Sequence, residues 1–276
     1  MKRPPTYQKQ AHVSIQQGRD CVKCGIGIEN QAHNKRQELI EEEKRVYHHC
    51  VGGAGPDNLQ EVKLIVISDF VGHYENLEQF PMVDISKYRE ERRKGLLAKL
   101  NAGAILRMAL KLMYGLNTYN DCWITNAIKC YPGKVKPLDM HIKACAITWL
   151  TAEFQTLDET IPEVPILIAG GQALKGLAHV YKRGGQELLE YGLQGCRRRR
   201  GLKLGDHPVV VTFNPATAAR SQPKLESEIR RGKGEKIHIS RNEWLYPLLP
   251  GSPVDKFIRD LHLLADYLPL PEEEKE

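Results

Sequence analysis

No run in this chain is apolar for long enough to cross a bilayer. The first ten residues, MKRPPTYQKQ, are basic and polar, and no apolar core of a secretory leader follows them. Both absences argue against a membrane or exported protein, and the expectation is a cytoplasmic one. No segment repeats at a fixed period, which argues against a solenoid. An excess of negative charge is missing too: 40 Lys and Arg against 34 Asp and Glu leave +6, with an estimated pI of 8.8. The seven cysteines (21, 24, 50, 122, 130, 145 and 196) therefore stand in a reducing compartment, where they read as metal ligands or buried thiols rather than disulfides.

What is present describes an ordinary globular chain. Its 276 residues, 41% hydrophobic and 27% charged, suffice for one large α/β domain with insertions. Four β-branched runs read as buried parallel strands: VKLIVIS (62–68), CWITNAI (122–128), PILIAG (165–170) and PVVVTF (208–213). Helical spacing of apolar residues recurs over 96–113, 137–154 and 251–268. Strands alternating with helices predict a parallel sheet covered on both faces, with ligands at the carboxyl ends of its strands. Each run ends in something reactive or flexible: Ser68-Asp69, Asn126, Gly170-Gly171 and Asn214-Pro215. A single domain over 1–276 is expected, with insertion-like segments near 33–60 and 82–95 and a closing helical extension over 251–268.

Two further clusters bear on chemistry. Arg197, Arg198, Arg199 and Arg200 form a run, followed by Arg220, Arg230, Arg231, Lys233 and Lys236. Such clusters suit phosphate backbones, although a charge run alone is compatible with a solvated face. Cys21-Val-Lys-Cys24 can clamp a metal or a cluster, and Cys130 with Cys145 can complete four thiolates. Spacing alone leaves zinc and iron–sulfur both open, and leaves Cys130 and Cys145 open to a role in the core. Cys122 reads as strand packing; Cys50 and Cys196 have no evident partners.

Collinear with these features is a set of motifs: CVKC (21–24), LIVISDFVG (64–72), WITNAIKCYP (123–132) with Cys145, PILIAGGQALKGL (165–177) and VVVTFNPATAAR (209–220). In this order they resemble the iron–sulfur, family-four enzymes of the uracil-DNA glycosylase superfamily. The resemblance implies a three-layer α/β/α sandwich with a short central parallel sheet. It also implies a [4Fe–4S] cluster on Cys21, Cys24, Cys130 and Cys145, with zinc as the alternative, that organises loops facing DNA. The activity implied is hydrolytic release of uracil or a modified pyrimidine flipped out of DNA, leaving an abasic site, a base-excision repair chemistry. Asn126 would read the pyrimidine edge, because one amide both donates to a carbonyl and accepts from a ring N–H.

The motifs also depart from the family pattern. Asn214 stands where the family carries a histidine that donates to the leaving base; the mismatch-specific branch is similar in having asparagine. Asp69 replaces a glutamate and would stabilise the sugar cation or orient water. Phe70 and Val71 reshape the wall of the base site. Phe80 is the candidate for stacking on the flipped base, with Tyr74 second. Arg220 matches the family's arginine at the minor groove, while Ala218 and Ala219 replace bulkier wedging residues. The weaker wedge suggests single-stranded DNA, or DNA with a mismatched, damaged or modified base, as partner. The altered motifs keep two alternatives in view: a catalytically impaired DNA-binding protein with this fold, and a glycosylase for hypermodified bases.

Overall fold

The computed structural model describes residues 50–72, 75, 80–82, 102–132, 136–219, 235–238, 245–248 and 251–269. Cys21, Cys24, Tyr74, Arg220, the segment 33–48 and nearly all of 82–95 lie outside them.

Strands β1 (Leu64–Phe70), β2 (Cys122–Ile128), β3 (Ile166–Ala169), β4 (Leu202–Leu204) and β5 (His207–Thr212) form one sheet in the order β2-β1-β3-β5-β4. The four strands expected from sequence pair in parallel, and β4 adds an antiparallel edge beside β5. Strand β2 is buried along its whole length and β1 up to Ser68, which explains their unbroken apolar runs.

Alternate residues of each strand feed two separate cores. Leu64, Val66, Ile124, Leu167 and Val210 pack against helices α1 (Ala102–Tyr114) and α5 (Pro253–Leu261). Ile65, Ile67, Trp123, Ile166 and Val211 pack on the other face. There they meet α3 (Thr151–Thr160) and α4 (Gly171–Cys196), with α2 (Asp139–Cys145) adjoining β2. Each fully buried aliphatic side chain contributes roughly 1.5–3 kcal/mol, so both layers are held by the sheet's period of two. The result is an α/β/α sandwich.

A π-helical turn, Ala146–Leu150, joins α2 to α3, so the expected helix over 137–154 continues to Thr160. Helix α4 is broken at Lys182 (φ 40°, ψ −94°) and Gly192 (φ 62°, ψ 172°). In α5, Ser252 caps the N-terminus by accepting from the Asp255 amide, Pro253 starts the first turn, and Val254, Phe257 and Leu261 face the core. A ribbon of β6 (Glu235–His238) and β7 (Leu245–Leu248) follows the main sheet. Among the described residues no helix is long and apolar enough to cross a membrane.

Two connections position the candidate site. The chain leaves β1 through α1 on one face and leaves β2 through α2 and α3 on the other, and in open α/β sheets such a reversal places ligands at the carboxyl ends of the strands. Before β1, the segment Cys50–Gly55 runs antiparallel along the outer edge of β2. Ala54 exchanges both backbone hydrogen bonds with Ile124 (2.7 and 2.8 Å), and the Val51 amide donates to the Lys129 carbonyl (2.7 Å). Gly53 permits this approach: a Cβ there would lie 2.1 Å from Glu153 Oε1 and 2.7 Å from Trp123 Nε1.

Candidate active site

Register sets the first row of polar groups. Ser68 on β1 is paired with Asn126 on β2, and both are buried. The Ser68 hydroxyl donates to Asn126 Oδ1 at 2.7 Å. With the amide in that orientation, Asn126 Nδ2 is buried without a partner among the described residues. A buried donor with no acceptor costs about 1–3 kcal/mol, a cost that an acceptor from a ligand or a water would remove. Gln172 Oε1 is the other such atom among the described residues, and it sits at the N-terminus of α4. One unmatched donor and one unmatched acceptor thus occupy the carboxyl edge of the sheet.

Asp69 follows Ser68 and turns to the opposite face. Its Oδ1 accepts from the backbone amides of Gln172 (2.8 Å) and Ala173 (3.1 Å) in the first turn of α4. The residue at the N-cap of that helix is Gly170, at φ +129°, with no side chain to do the same. A Cβ on Gly170 would lie 2.2 Å from Asp69 Oδ1, so the glycine makes room for the carboxylate that caps the helix from another strand.

Asp69 Oδ2 accepts from Asn214 Nδ2 at 3.0 Å. Asn214 Oδ1 in turn accepts from the Ala216 amide at 2.8 Å, so its orientation is fixed by the backbone. An amide nitrogen has two N–H groups. One is used on Asp69, and the second has no acceptor among the described residues. The two residues expected to be catalytic, 145 positions apart in sequence, are therefore in direct contact.

Aromatic residues divide. Phe70, at the end of β1, is 36% exposed, whereas Phe80 is 5% exposed. Phe80 lies 5.4 Å from the ring of Tyr119, and the Arg107 guanidinium stands 5.6 Å over Phe80 and 3.8 Å over Tyr119. Arg107 also donates to the Met82 carbonyl (3.2 and 2.8 Å) and to Thr118 Oγ1 (2.5 Å). Glu75 ties this loop to the end of β1 by accepting from the amides of Gly72 (2.5 Å) and Met82 (2.6 Å). Burial pushes the Glu75 carboxyl up to about 7, against the two amides and Arg107, which pull it down. Sequence reasoning missed Glu75; its only signal is a carboxylate six residues beyond Asp69.

Beneath the end of β2 lies a buried ion pair. Lys129 Nζ donates to Glu153 Oε2 and to Thr125 Oγ1, and Glu153 Oε1 accepts from Trp123 Nε1 at 2.8 Å. The lysine and glutamate side chains are 0% and 1% exposed. Three thiols are buried at or beside the backbone of this strand end. The Lys129 amide donates to Cys145 Sγ (3.3 Å), and Cys130 Sγ lies 3.6 Å from Cys50 Sγ. Cys130 ends the stretch after β2 and Cys145 accepts from the amide of its neighbour Lys129, while Cys21 and Cys24 lie outside the described residues. Among the described residues no three His, Cys, Asp or Glu side chains form a complete metal site.

The arginine run occupies the edge beyond β5. Arg197 is engaged inside the fold: it pairs with Asp260 through two bonds (2.6 and 3.0 Å) and stacks 3.5 Å over Phe213, next to Asn214. Asp260 also accepts from Thr212 at 2.8 Å; its burial raises the carboxyl's pKa, while the Arg197 and Thr212 hydrogen bonds and the Arg197 charge lower it. Arg198, Arg199 and Arg200 are exposed, with Arg199 over Tyr191 (3.7 Å) and Arg200 bonded to Asp266 (2.8 and 2.9 Å). Arg198, Arg259, Lys256 and Phe213 line a cavity of about 370 Å³ on this edge.

A family model described as the uracil DNA glycosylase superfamily matches residues 57–233, well over half of the chain. The curated proteins provide no match.

Proposed function

The chain belongs to the uracil-DNA glycosylase superfamily, whose members act on DNA, and from that premise we propose that it releases uracil or a modified pyrimidine by hydrolysis. The observation that carries the reading is the Nδ2 of Asn126 on β2, a buried donor beside Ser68 with no partner among the described residues. A pyrimidine carbonyl would satisfy it, and Asn126 Oδ1 retains a second lone pair for a ring N–H.

Cleavage of the glycosidic bond leaves positive charge on the sugar and negative charge on the base. The Asp69 carboxylate supplies a fixed negative charge for the first. The second N–H of Asn214 supplies a donor for the base oxygen. Neither group needs to reorganise, because Asp69 is held by two helix amides and Asn214 by the Ala216 amide. Phe80 or the more exposed Phe70 would stack on the extruded base. Lys129 is spent on Glu153 rather than available as an amine nucleophile, which supports a monofunctional enzyme leaving an abasic site. Arg198, Arg199, Arg200 and Arg220 would meet the phosphate backbone.

We assign Cys21, Cys24, Cys130 and Cys145 as holders of a [4Fe–4S] cluster, with zinc as the alternative metal. Bound there, the group would fasten the N-terminal segment to the end of β2.

One observation favours a second reading. Both oxygens of Asp69 already accept hydrogen bonds, so the carboxylate also serves as a structural brace. A DNA-binding protein of reduced activity would keep it for that reason. Base release from single- and double-stranded oligonucleotides carrying uracil, hydroxymethylated or glycosylated pyrimidines separates the readings, with abasic sites revealed by alkali. The proposal expects release that falls at least tenfold in Asn126→Ala. Tight DNA binding with no release of any base would overturn it in favour of the binding protein.

A further inference from the structure

The four cysteines assigned to the cluster have a fifth seated against one of them. Cys50 Sγ lies 3.6 Å from Cys130 Sγ, and the contact is built rather than incidental. The amide of Val51 bonds the carbonyl of Lys129, which fixes the residues before and after that bond side by side. The next residues run along β2 on bare glycine backbone, and Cys50 is only 5% exposed.

We propose that Cys50 is a positioning residue of the thiolate centre: its S–H donates a hydrogen bond to the sulfur of Cys130 without ligating the metal. This rests on the centre proposed above. Either sulfur could donate between two thiols, but a ligating Cys130 has no proton, so only Cys50 can. A cubane takes one thiolate on each iron and splays its ligand sulfurs beyond contact, so two sulfurs 3.6 Å apart do not both serve it. Two thiolates on one tetrahedral ion would stand about 3.8 Å apart, given metal–sulfur bonds of about 2.3 Å. That competing arrangement would gather Cys145 as well, and no such three-residue group forms among the described residues. The Lys129 amide bonded to Cys145 is a second donor of the same kind, so each of the two described ligand sulfurs has its own. Donors to cluster sulfurs offset the added electron's charge and raise the reduction potential.

The test uses the full chain, reconstituted with iron and sulfide, as wild type, Cys50→Ala and Cys50→Ser. Iron and acid-labile sulfide per chain, the visible spectrum and the reduction potential are measured, with circular dichroism confirming the fold. The expected result is unchanged iron and sulfide in both variants, a lower potential in Cys50→Ala, and return toward wild type in Cys50→Ser, whose hydroxyl still donates. Loss of iron from both folded variants would overturn the proposal by making Cys50 a ligand. An unmoved potential in Cys50→Ala would overturn it by making the contact mere packing. Wild-type protein that takes up zinc but no cluster would sink the iron–sulfur reading itself, and is seen before any variant is made.

Discussion

Replacing Asp69 separates its brace function from its chemistry, because alanine and asparagine remove different things. In Asp69→Ala the amides of Gln172 and Ala173 lose their acceptor, and Gly170 cannot substitute as a cap. Loss of an N-cap costs about 0.5–2 kcal/mol, and the Asn214 bond adds about 1 kcal/mol, so roughly 2 kcal/mol is expected overall. In Asp69→Asn the amide oxygen can still cap α4, so at the helix end only the charge is lost, about 0.3–1 kcal/mol, while the bond from Asn214 is lost as in Asp69→Ala. Its NH2 would instead face the NH2 of Asn214, which the Ala216 amide prevents from turning. Both variants should lose base release by about 10²–10³-fold, the usual loss when a preorganised electrostatic group is removed. Urea unfolding followed by circular dichroism gives the first quantity, and single-turnover base release gives the second. An Asp69→Ala protein as stable as wild type would refute the capping argument. An Asp69→Asn protein that cleaves at the wild-type rate would refute the catalytic one, leaving Asp69 as a brace only.

Further outcomes rest on neighbouring groups. Lys129→Met strands a buried Glu153 and should destabilise by about 3–5 kcal/mol, whereas Lys129→Met with Glu153→Leu should recover part of this in the same urea assay. Gly53→Ala drives a methyl into Glu153 and Trp123 and should cost at least about 1–3 kcal/mol, read as a lower melting temperature. Glu75 has a folded pKa near 7, raised above its ordinary 4.5, so its stabilising contribution is present below pH 4.5 and lost as pH rises through 7. Glu75→Gln should flatten that part of the stability–pH profile, and an unchanged profile would show that Glu75 does not titrate there. Lys256→Glu with Arg259→Glu should weaken DNA binding and make its salt dependence shallower, by roughly one in slope for each phosphate no longer neutralised, measured by fluorescence anisotropy.

Much of the fold is written locally. Residues 62–68, 122–128, 165–170 and 208–213 are apolar on both faces because helices cover both sides of a parallel sheet, and such runs stand out in a sequence. Strand β4, three residues long, and the broken course of α4 carry no comparable period, since the partner strand and two interruptions define them. The carboxyl-end residues Asp69, Asn126 and Asn214 were legible for the same reason: they end strands, and motif order brings the family resemblance with it. Their roles were less so. Nothing near Asp69 in the chain announces that it caps a helix beginning 102 residues later at Gly171, and nothing near Cys50 announces Cys130.

Period and motif are local properties, so the layers, the strand ends and the identities of the polar groups at them can be read along the chain. Which of those groups touch is a property of the folded chain. Folding sets Asn214 against Asp69, leaves Asn126 with a donor unmatched among the described residues, buries Lys129 on Glu153 and draws Arg197 into the fold. Contacts between distant residues depend on strand order and register, and these follow from burying both sheet faces at once rather than from any short stretch of residues.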